Sequence, residues 1–282
     1  MMKSAIWSDY FENLSPEEGV LSFREAGFAY GECGIEHSLM LQSRSANVEK
    51  TGAEFRAFLD SVGFAFPQGH LDFQKDLTDP KTVDAFKKEI TLFQAIGVRN
   101  GMIHINGGAD LPEEKCKEIQ LKYLQELVEF VKGTDFHICI ENLRPNPAVA
   151  DADRILEWIH LLGGKNLGIC LDTGHLQVSR VSKQTTTQSH RDFILTAGSY
   201  LKATHINGND GTDDYHLAPY SIKNSVNWPE VVTALRQIGY EGLFNLEIPG
   251  EVKGNPPLFI MKQKLQYLKI LADYMISEAY PG

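Results

Sequence analysis

The sequence is poor in three kinds of feature, and each shortage argues against a class of protein. Its 282 residues contain only four cysteines, which are widely spaced and form no Cys-x-x-Cys pair, so we expect neither a disulfide framework nor a zinc ribbon. No apolar run approaches the roughly 18 residues that a membrane-spanning helix needs. The first residues show no apolar stretch followed by a small-residue cleavage site, so we expect a cytoplasmic protein.

Positive charge is also in short supply. Lysine and arginine number 27 against 37 aspartates and glutamates, which gives a net charge of −10 at pH 7. An acidic total disfavours non-specific contact with nucleic acid or with an anionic membrane. The 43% hydrophobic content is enough for a sizeable core. Because no linker or low-complexity tract interrupts the chain, residues 1–282 are predicted to form a single domain.

Short segments rich in β-branched and apolar residues alternate with longer segments of helical period. Eight such short segments start about 35 residues apart, the length of one strand, one helix and two loops. This alternation predicts a parallel sheet. The predicted strands are residues 4–7, 30–35, 64–68, 98–105, 136–140, 167–171, 201–206 and 243–246.

Helix start signals punctuate the intervening segments. Ser15, followed by Pro-Glu-Glu, predicts an N-cap with a capping box, and Asp79-Pro and Asn227-Trp-Pro predict two further helix starts. Eight strand-helix units close most naturally into a single (β/α)8 barrel. The alternative is an open doubly wound sheet, which should carry a glycine-rich turn after its first strand. The sequence from Trp7 to Phe11 contains no glycine.

Two long polar segments stand out between the predicted strands. Residues 173–188 are rich in threonine and are predicted to form a mobile lid. Residues 207–225 form a connection that is long for a compact fold, and such loops are commonly functional.

Ionisable side chains stand at or near the ends of seven predicted strands. The carboxyl ends of barrel strands meet on one face, where catalytic residues converge. One polar residue at such a position commonly just marks the exit into a turn, but seven in phase predict a functional site. These residues are Glu36, His70, His104, Glu141, Asp172, His205 and Glu247.

Part of this set has the composition of a metal site. Three carboxylates and one imidazole suit Mn, Mg, Co or Zn better than a metal that prefers thiolates. Three carboxylates buried together without a cation would repel one another and be forced to protonate. The predicted ligands are Glu141, Asp172, His205 and Glu247.

Further donors surround these four. His175 lies three residues after Asp172, and Asp214 and His216 lie two residues apart in the second long segment. The sequence leaves two roles open for the outer donors, which are ligation of further ions and hydrogen bonding to a substrate or within the loop. The outer donors are His70, His104, His175, Asp214 and His216.

Taken together, the motifs resemble one family. The segments IENL, LDTGH, THINGND and GYEGLFNLE, the Asp-x-His of the long loop and the VNW before a helix are similar to those of the xylose isomerase-like superfamily. In its sugar isomerase and epimerase branch, the resemblance implies one metal in a four-ligand site. It also implies that two glutamates, here Glu141 and Glu247, act as bases on opposite faces of the sugar.

A second branch of that superfamily, the endonuclease IV branch, holds three zinc ions with nine ligands. The resemblance then implies that Glu141 bridges two ions, whereas a one-metal enzyme would leave the ring nitrogens of His175 and His216 free for hydroxyls or water. One ion is expected and up to three are possible. The residues that match the nine ligands are His70, His104, Glu141, Asp172, His175, His205, Asp214, His216 and Glu247.

We therefore expect a metal-dependent isomerase or epimerase of a small sugar or sugar derivative. The metal would stabilise an enediolate by Lewis acidity while Glu141 and Glu247 remove and return the proton. The alternatives are a zinc-dependent phosphodiester hydrolase acting at abasic DNA sites and a barrel that only binds a sugar. A sugar is the expected partner, nucleic acid and membrane are not expected, and a homo-oligomer is possible.

Four peripheral side chains complete the expectation. Trp7 and Phe66 are candidates for an apolar wall of the pocket, and Arg144 and Lys253 are candidates for contact with a phosphate or carboxylate. The sequence departs from the ketose 3-epimerases in one respect. Those enzymes carry a substrate-binding arginine shortly after the ligand histidine, where residues 208–211 here read Gly-Asn-Asp-Gly.

Overall fold

Eight short parallel strands form the centre of the molecule. The computed structural model describes residues 1–144, 146–223, 225–250 and 256–280. The predicted strands are all present, with ends shifted by a few residues. They are β1 Lys3–Trp7, β2 Tyr30–Cys33, β3 Ala65–His70, β4 Asn100–Ile103, β5 His137–Glu141, β6 Leu167–Asp172, β7 Leu201–His205 and β8 Leu243–Leu246.

The strands follow one another around a barrel. Their order is β7-β6-β5-β4-β3-β2-β1-β8, and each neighbouring pair is parallel. At the remaining seam, the Ile206 N–H donates to the Asn245 carbonyl oxygen at 2.7 Å, and the Thr204 hydroxyl donates to the Leu243 carbonyl oxygen at 2.6 Å. These bonds nearly close the sheet. The predicted (β/α)8 barrel is confirmed, and the open doubly wound sheet is excluded.

Helices surround the barrel, and β2 and β6 are each followed by two of them. None of the helices in the described ranges is both long and apolar enough to cross a bilayer. The helices are α1 Pro16–Glu25, α2 Ile35–Ser43, α3 Val48–Val62, α4 Pro80–Ile96, α5 Glu113–Val131, α6 Ala152–Leu162, α7 Thr173–Val181, α8 His190–Ala197, α9 Trp228–Gln237 and α10 Leu258–Ile276.

The predicted helix starts are confirmed in atomic detail. The Ser15 hydroxyl accepts a hydrogen bond from the Glu18 N–H, and the Glu18 side chain accepts one from the Ser15 N–H, which completes the capping box of α1. The Asp79 side chain caps α4 by accepting from the Lys81 N–H, and the Asn227 side chain caps α9 by accepting from the Glu230 N–H. Helix α4 ends at Gly97, whose φ of 101° favours glycine.

The prediction of a lid over residues 173–188 is wrong for its first half. Residues Thr173–Val181 form α7, which begins directly at the end of β6 because Asp172 caps it. The rest of the segment, residues 182–188, is held by hydrogen bonds, since the Thr185 and Thr187 hydroxyls both donate to Asp151 Oδ1. The threonines from which a mobile segment was predicted therefore donate hydrogen bonds to a buried carboxylate.

Inside the barrel, a small group of apolar side chains lies beneath the strand ends. Side chains two residues apart on a strand point to the same side. Cys139, Cys170 and Ala203 precede Glu141, Asp172 and His205 by two residues each. They pack together with Met102 in a buried cluster separate from the main core, which we call the barrel floor.

Candidate metal centre

Four predicted ligands converge at the carboxyl end of the barrel. Three of them end a strand, and the fourth follows β8 directly. One donor atom from each lies within 4.8 Å of the others, and all four side chains are buried. We call this group the inner cluster; it consists of Glu141, Asp172, His205 and Glu247.

The distances within the inner cluster centre on one imidazole nitrogen. His205 Nδ1 lies 3.1 Å from Glu141 Oε1, 3.4 Å from Glu247 Oε2 and 4.0 Å from Asp172 Oδ2. Three carboxylates and one imidazole that face a common point form a donor set of the kind that Mn²⁺, Mg²⁺, Co²⁺ or Zn²⁺ accepts. The residues present therefore fit a divalent cation.

Glu141 also belongs to a second cluster. Its other oxygen, Oε2, lies 3.2 Å from His70 Nε2 and 3.0 Å from His104 Nε2. His70 Nδ1 donates to the Leu71 carbonyl oxygen at 2.7 Å, and this bond aims Nε2 at the carboxylate. Glu141 thus presents one oxygen to each cluster, as a bridging ligand does. The second cluster is His70, His104 and Glu141.

A third cluster, the loop cluster, consists of His175, Asp214 and His216. Asp214 Oδ2 lies 3.1 Å from His175 Nε2 and 3.2 Å from His216 Nε2. The opposite ring nitrogens donate to backbone carbonyl oxygens at 3.0 Å, to Asn142 from His175 and to Glu247 from His216. Both imidazoles therefore present Nε2 to one carboxylate.

The loop that carries Asp214 and His216 is closed at its base. Gly208 and Leu217 exchange two backbone hydrogen bonds of 2.7 and 2.9 Å. His216 has a φ of 47°, a conformation that costs energy for a residue other than glycine. The predicted functional loop thus holds a strained residue among the candidate ligands.

All nine predicted ligands lie in these three clusters, but the remaining strand-end prediction is wrong. Glu36 is exposed on α2, where its backbone N–H donates to Asp9 Oδ2 at 3.0 Å. The chain turns into a helix at Ile35, directly after β2, so Glu36 never reaches the barrel mouth.

Burial and charge act in opposite directions on the ionisation of Glu141 and His70. Burial alone would raise the pKa of Glu141, but the imidazoles of His205 and His104 hold it well below its usual range. Burial would lower the pKa of His70, but the hydrogen bond and the charge of Glu141 raise it to about 9. Without a cation, protonated imidazoles therefore balance the carboxylates.

Glu247 and the loop cluster titrate differently. Burial raises the pKa of Glu247 to about 8 in spite of the nearby imidazoles. Burial opposes protonation of His216, but the charge of Glu247 and the bond to Asp214 raise its pKa to about 10. Because ligands must lose their protons to bind a metal, cation binding here is expected to release protons.

Two asparagines that the sequence reasoning did not single out hold Asp172. The Asn142 side chain pairs with the Asp172 backbone, accepting from its N–H at 2.8 Å and donating to its carbonyl oxygen at 3.0 Å. Asn207 Nδ2 donates to Asp172 Oδ2 at 2.7 Å. Both stand inside the IENL and THINGND motifs, so the signal was present in the sequence.

A third omission is Glu32, a buried carboxylate on β2. Its Oε2 lies 2.9 Å from His205 Nε2 and 3.2 Å from Asn245 Nδ2, and it also accepts from Gln68 Nε2. Its signal was a charged residue inside the four-residue strand YGEC, where the pattern does not show which face turns inward.

The clusters open into a cavity of about 1000 Å³ with aromatic walls. Trp7 lines it, as predicted. Phe66 does not, because it is 2% exposed and packs against Phe64 and Phe55 in the core. Phe73 also lines the cavity, and it stacks on the His104 ring at a centroid distance of 5.4 Å.

Three further carboxylates lie along the cavity. Asp9, Glu12 and Asp213 line it in addition to the clusters. Arg144, a candidate for phosphate contact, has its Nη2 2.8 Å from Asp213 Oδ1. Lys253, the other candidate, lies outside the described residues.

Solved structures similar to this chain share the whole fold. A D-psicose 3-epimerase from Clostridium cellulolyticum superposes with a TM-score of 0.80 at 16% identity, covering 98% of this chain and 100% of that one. A 3-keto-D-glucoside 4-epimerase from E. coli gives 0.72 at 13% identity, covering 96% and 100%. At these identities the likeness establishes the fold.

Relatives found by sequence are uncharacterised proteins. One, y4fM of Sinorhizobium fredii, is 23% identical over 189 residues, which cover 64% of this chain and 55% of that protein. Another, MJ1311 of Methanocaldococcus jannaschii, is 29% identical over 129 residues, which cover 44% and 41%. The chain thus spans about half the length of these relatives.

A family model described as a xylose isomerase-like TIM barrel matches residues 22–271, which include all nine candidate ligands. The chain therefore belongs to the xylose isomerase-like TIM barrel family.

Proposed function

We propose that the protein is a divalent-metal-dependent isomerase or epimerase of a small sugar or sugar derivative. The observation that carries this proposal is the inner cluster, a complete four-donor set at the base of a cavity of about 1000 Å³. The cavity has room for a monosaccharide, and its aromatic walls suit the apolar faces of a sugar ring. The similarity to structures titled as sugar epimerases supports the same class.

Glu141, Asp172, His205 and Glu247 would hold one cation, which could be Mn²⁺, Zn²⁺, Co²⁺ or Mg²⁺. When bound, a divalent cation supplies Lewis acidity, which makes the C–H beside a carbonyl group more acidic. The asparagines that hold Asp172 fix one ligand before any substrate arrives. The site is thus organised by the chain's own hydrogen bonds.

Two of the carboxylates are placed to move the proton. Glu141 ends β5 and Glu247 follows β8, so they reach the cavity from different parts of the barrel wall. One removes the proton from the carbon next to the carbonyl group, and the other returns a proton. A carboxylate oxygen turned away from the cation is the stronger base, and we assign it the abstraction.

Four imidazoles surround this pair, and the substrate's hydroxyl groups would bind to the Nε2 atoms that face Glu141 and Asp214 in the substrate-free protein. His70 and His104 lie on one side of Glu141, and His175 and His216 lie on the side of Asp214. All four line the cavity. In this function they orient the sugar and take no proton from carbon.

Solvent deuterium exchange tests the proposal. The protein, purified without chelator and supplied with Mn²⁺ or Co²⁺, is incubated in D₂O with a panel of ketoses and aldoses, and deuterium incorporation is followed by NMR. We expect incorporation into at least one sugar at the carbon next to the carbonyl group, and its loss on adding chelator. Exchange that is the same with chelator would contradict metal dependence.

A second candidate function is favoured by one observation, the gathering of nine donors into three adjacent clusters, two of which share Glu141. This arrangement suits a zinc-dependent phosphodiester hydrolase acting at abasic DNA. The chain's net charge of −10 disfavours contact with a phosphate backbone, so we place this function second.

Metal analysis and a cleavage assay separate the two functions. One bound ion per chain and no cleavage of a duplex with an abasic site, beyond a chelated control, are the results expected for the sugar enzyme. Three zinc ions per chain with efficient cleavage would bring the hydrolase to first place.

A further inference from the structure

Glu32 is a fully buried carboxylate for which the proposed chemistry has no role. Its Oε2 accepts from three donors, the side chains of Gln68, Asn245 and His205. Its Oε1 is buried without a hydrogen-bond partner among the described residues. Burying a carboxylate with an unsatisfied oxygen is costly, so a structural reason alone accounts poorly for its presence.

The bond to His205 selects which ring nitrogen faces the ligands. An ionised carboxylate only accepts hydrogen bonds, so His205 Nε2, at 2.9 Å, carries the proton and donates it. Nδ1 points to Glu141 and Glu247 at 3.1 and 3.4 Å, and it offers its lone pair to a cation once that cation has displaced the proton held there. The tautomer that binds a cation through Nδ1 is therefore the one that Glu32 stabilises.

Side chains on two nearby strands support Glu32. Gln68 on β3 and Asn245 on β8 hold its carboxylate by their amide groups. Gln68 Nε2 also lies 3.3 Å from the Thr204 carbonyl oxygen, next to His205 in the chain. These bonds join Glu32 to the strand that bears the imidazole, and they fix the distance between the two side chains.

We propose that Glu32 is a positioning residue that fixes His205 Nδ1 as the cation-binding atom and strengthens cation binding in the inner cluster. A cation on Nδ1 draws electron density from the ring and makes the Nε2–H a stronger donor to Glu32. By linkage, the free energy that the cation adds to the hydrogen bond between Nε2–H and Glu32 equals the free energy that this bond adds to cation binding. This inference rests on the proposed function only in taking the inner cluster to bind a divalent cation.

Competition for Co²⁺ between the protein and a chromophoric chelator tests the proposal without measuring catalysis. The Glu32→Gln variant keeps the volume and an acceptor oxygen but loses the charge. The matched control is Glu89→Gln, which removes an equally buried carboxylate whose partners are the Ser38 hydroxyl and the Asp72 N–H. We expect the Co²⁺ dissociation constant to rise about 10- to 100-fold for Glu32→Gln and to stay within about twofold for the control.

A measurement on the unmutated chain covers the case in which Glu32→Gln does not fold. Long-range ¹H–¹⁵N spectra of the Zn²⁺-loaded protein report which nitrogen of each histidine is protonated, and the His205→Gln variant identifies the His205 signals. We expect a protonated Nε2 and a metal-bound Nδ1. A metal-bound Nε2 would overturn the proposal.

The outcomes separate this inference from the proposed function. If the unmutated protein binds Co²⁺ and Glu32→Gln binds it equally well with the same absorption spectrum, the positioning role is refuted. If Glu32→Gln binds weakly but no sugar exchanges deuterium, the positioning role stands and the enzymatic proposal falls. An unmutated protein that binds no divalent cation overturns both.

Discussion

The residues that lie two positions before each ligand differ sharply between two parts of the barrel. Before Glu141, Asp172 and His205 stand the small apolar side chains of the barrel floor. Before His70 and Glu247 stand Gln68 and Asn245, which hold the Glu32 carboxylate. The apolar part excludes water beneath the ligands, and the polar part orients one of them. A single ring of ligands therefore rests on two different kinds of support.

The largest contrast is expected between the two candidate bases. Glu247→Gln should lower deuterium incorporation into substrate about 10²- to 10⁴-fold, because an amide cannot act as a base. Cation binding should survive, since the other three inner-cluster ligands remain. Glu141→Gln, which alters a residue shared by two clusters, should weaken cation binding as well. Wild-type exchange rates in Glu247→Gln would refute the two-base mechanism.

Placing a charge in the apolar part should cost stability. Cys139→Asp buries a carboxylate among Met102, Cys170 and Ala203, and we expect the free energy of unfolding to fall by about 3 kcal/mol or more. Cys139→Ala, which adds no polar group, is the control and should cost clearly less. Urea denaturation near neutral pH measures both. Equal losses in the two variants would mean that the floor tolerates charge.

A buried carboxylate outside the barrel wall gives a pH-dependent comparison. Burial raises the pKa of Glu89 on α4 from 4.5 to about 7. The folded state thus holds the Glu89 proton more tightly than the unfolded state does. The contribution of this proton to the free energy of unfolding is full below pH 4.5 and is lost as the pH rises through about 7. Relative to Glu89→Gln, the wild-type protein should lose about 3 kcal/mol of stability over this range. Parallel stability curves for the two proteins would contradict the assignment.

The smallest effect on stability is expected at α1, which lies outside the apolar and the polar layers beneath the candidate ligands. Ser15→Ala removes the capping box of α1 and should lower the free energy of unfolding by about 1 kcal/mol. Co²⁺ affinity should not change, and the same chelator competition checks this. A changed affinity would show that the outer helix influences the metal centre.

The sequence predicted what periodicity and strand ends reveal. All eight strands and the six clustered donors at strand ends were accessible, because strand ends in a barrel converge whatever the details of packing. His175, Asp214 and His216 were found from the motifs instead. Glu32 was missed and Glu36 chosen in its place. Strand β2 is only four residues long, and its pattern YGEC does not show which side chains face the interior. Phe66 was chosen and Phe73 was missed for a related reason, since an aromatic within a strand can face the core as well as a pocket.

The loop closed by Gly208 and Leu217 supplies two of the three donors in the loop cluster. The four inner-cluster side chains lie at or directly after strand ends, and the loop reaches them through the contact of His216 with Glu247. In evolutionary terms, Asp214 and His216 form a separable module. Substitution or shortening within this one loop could remove them, or exchange them for groups that contact a different ligand, while the inner cluster and its support stay intact.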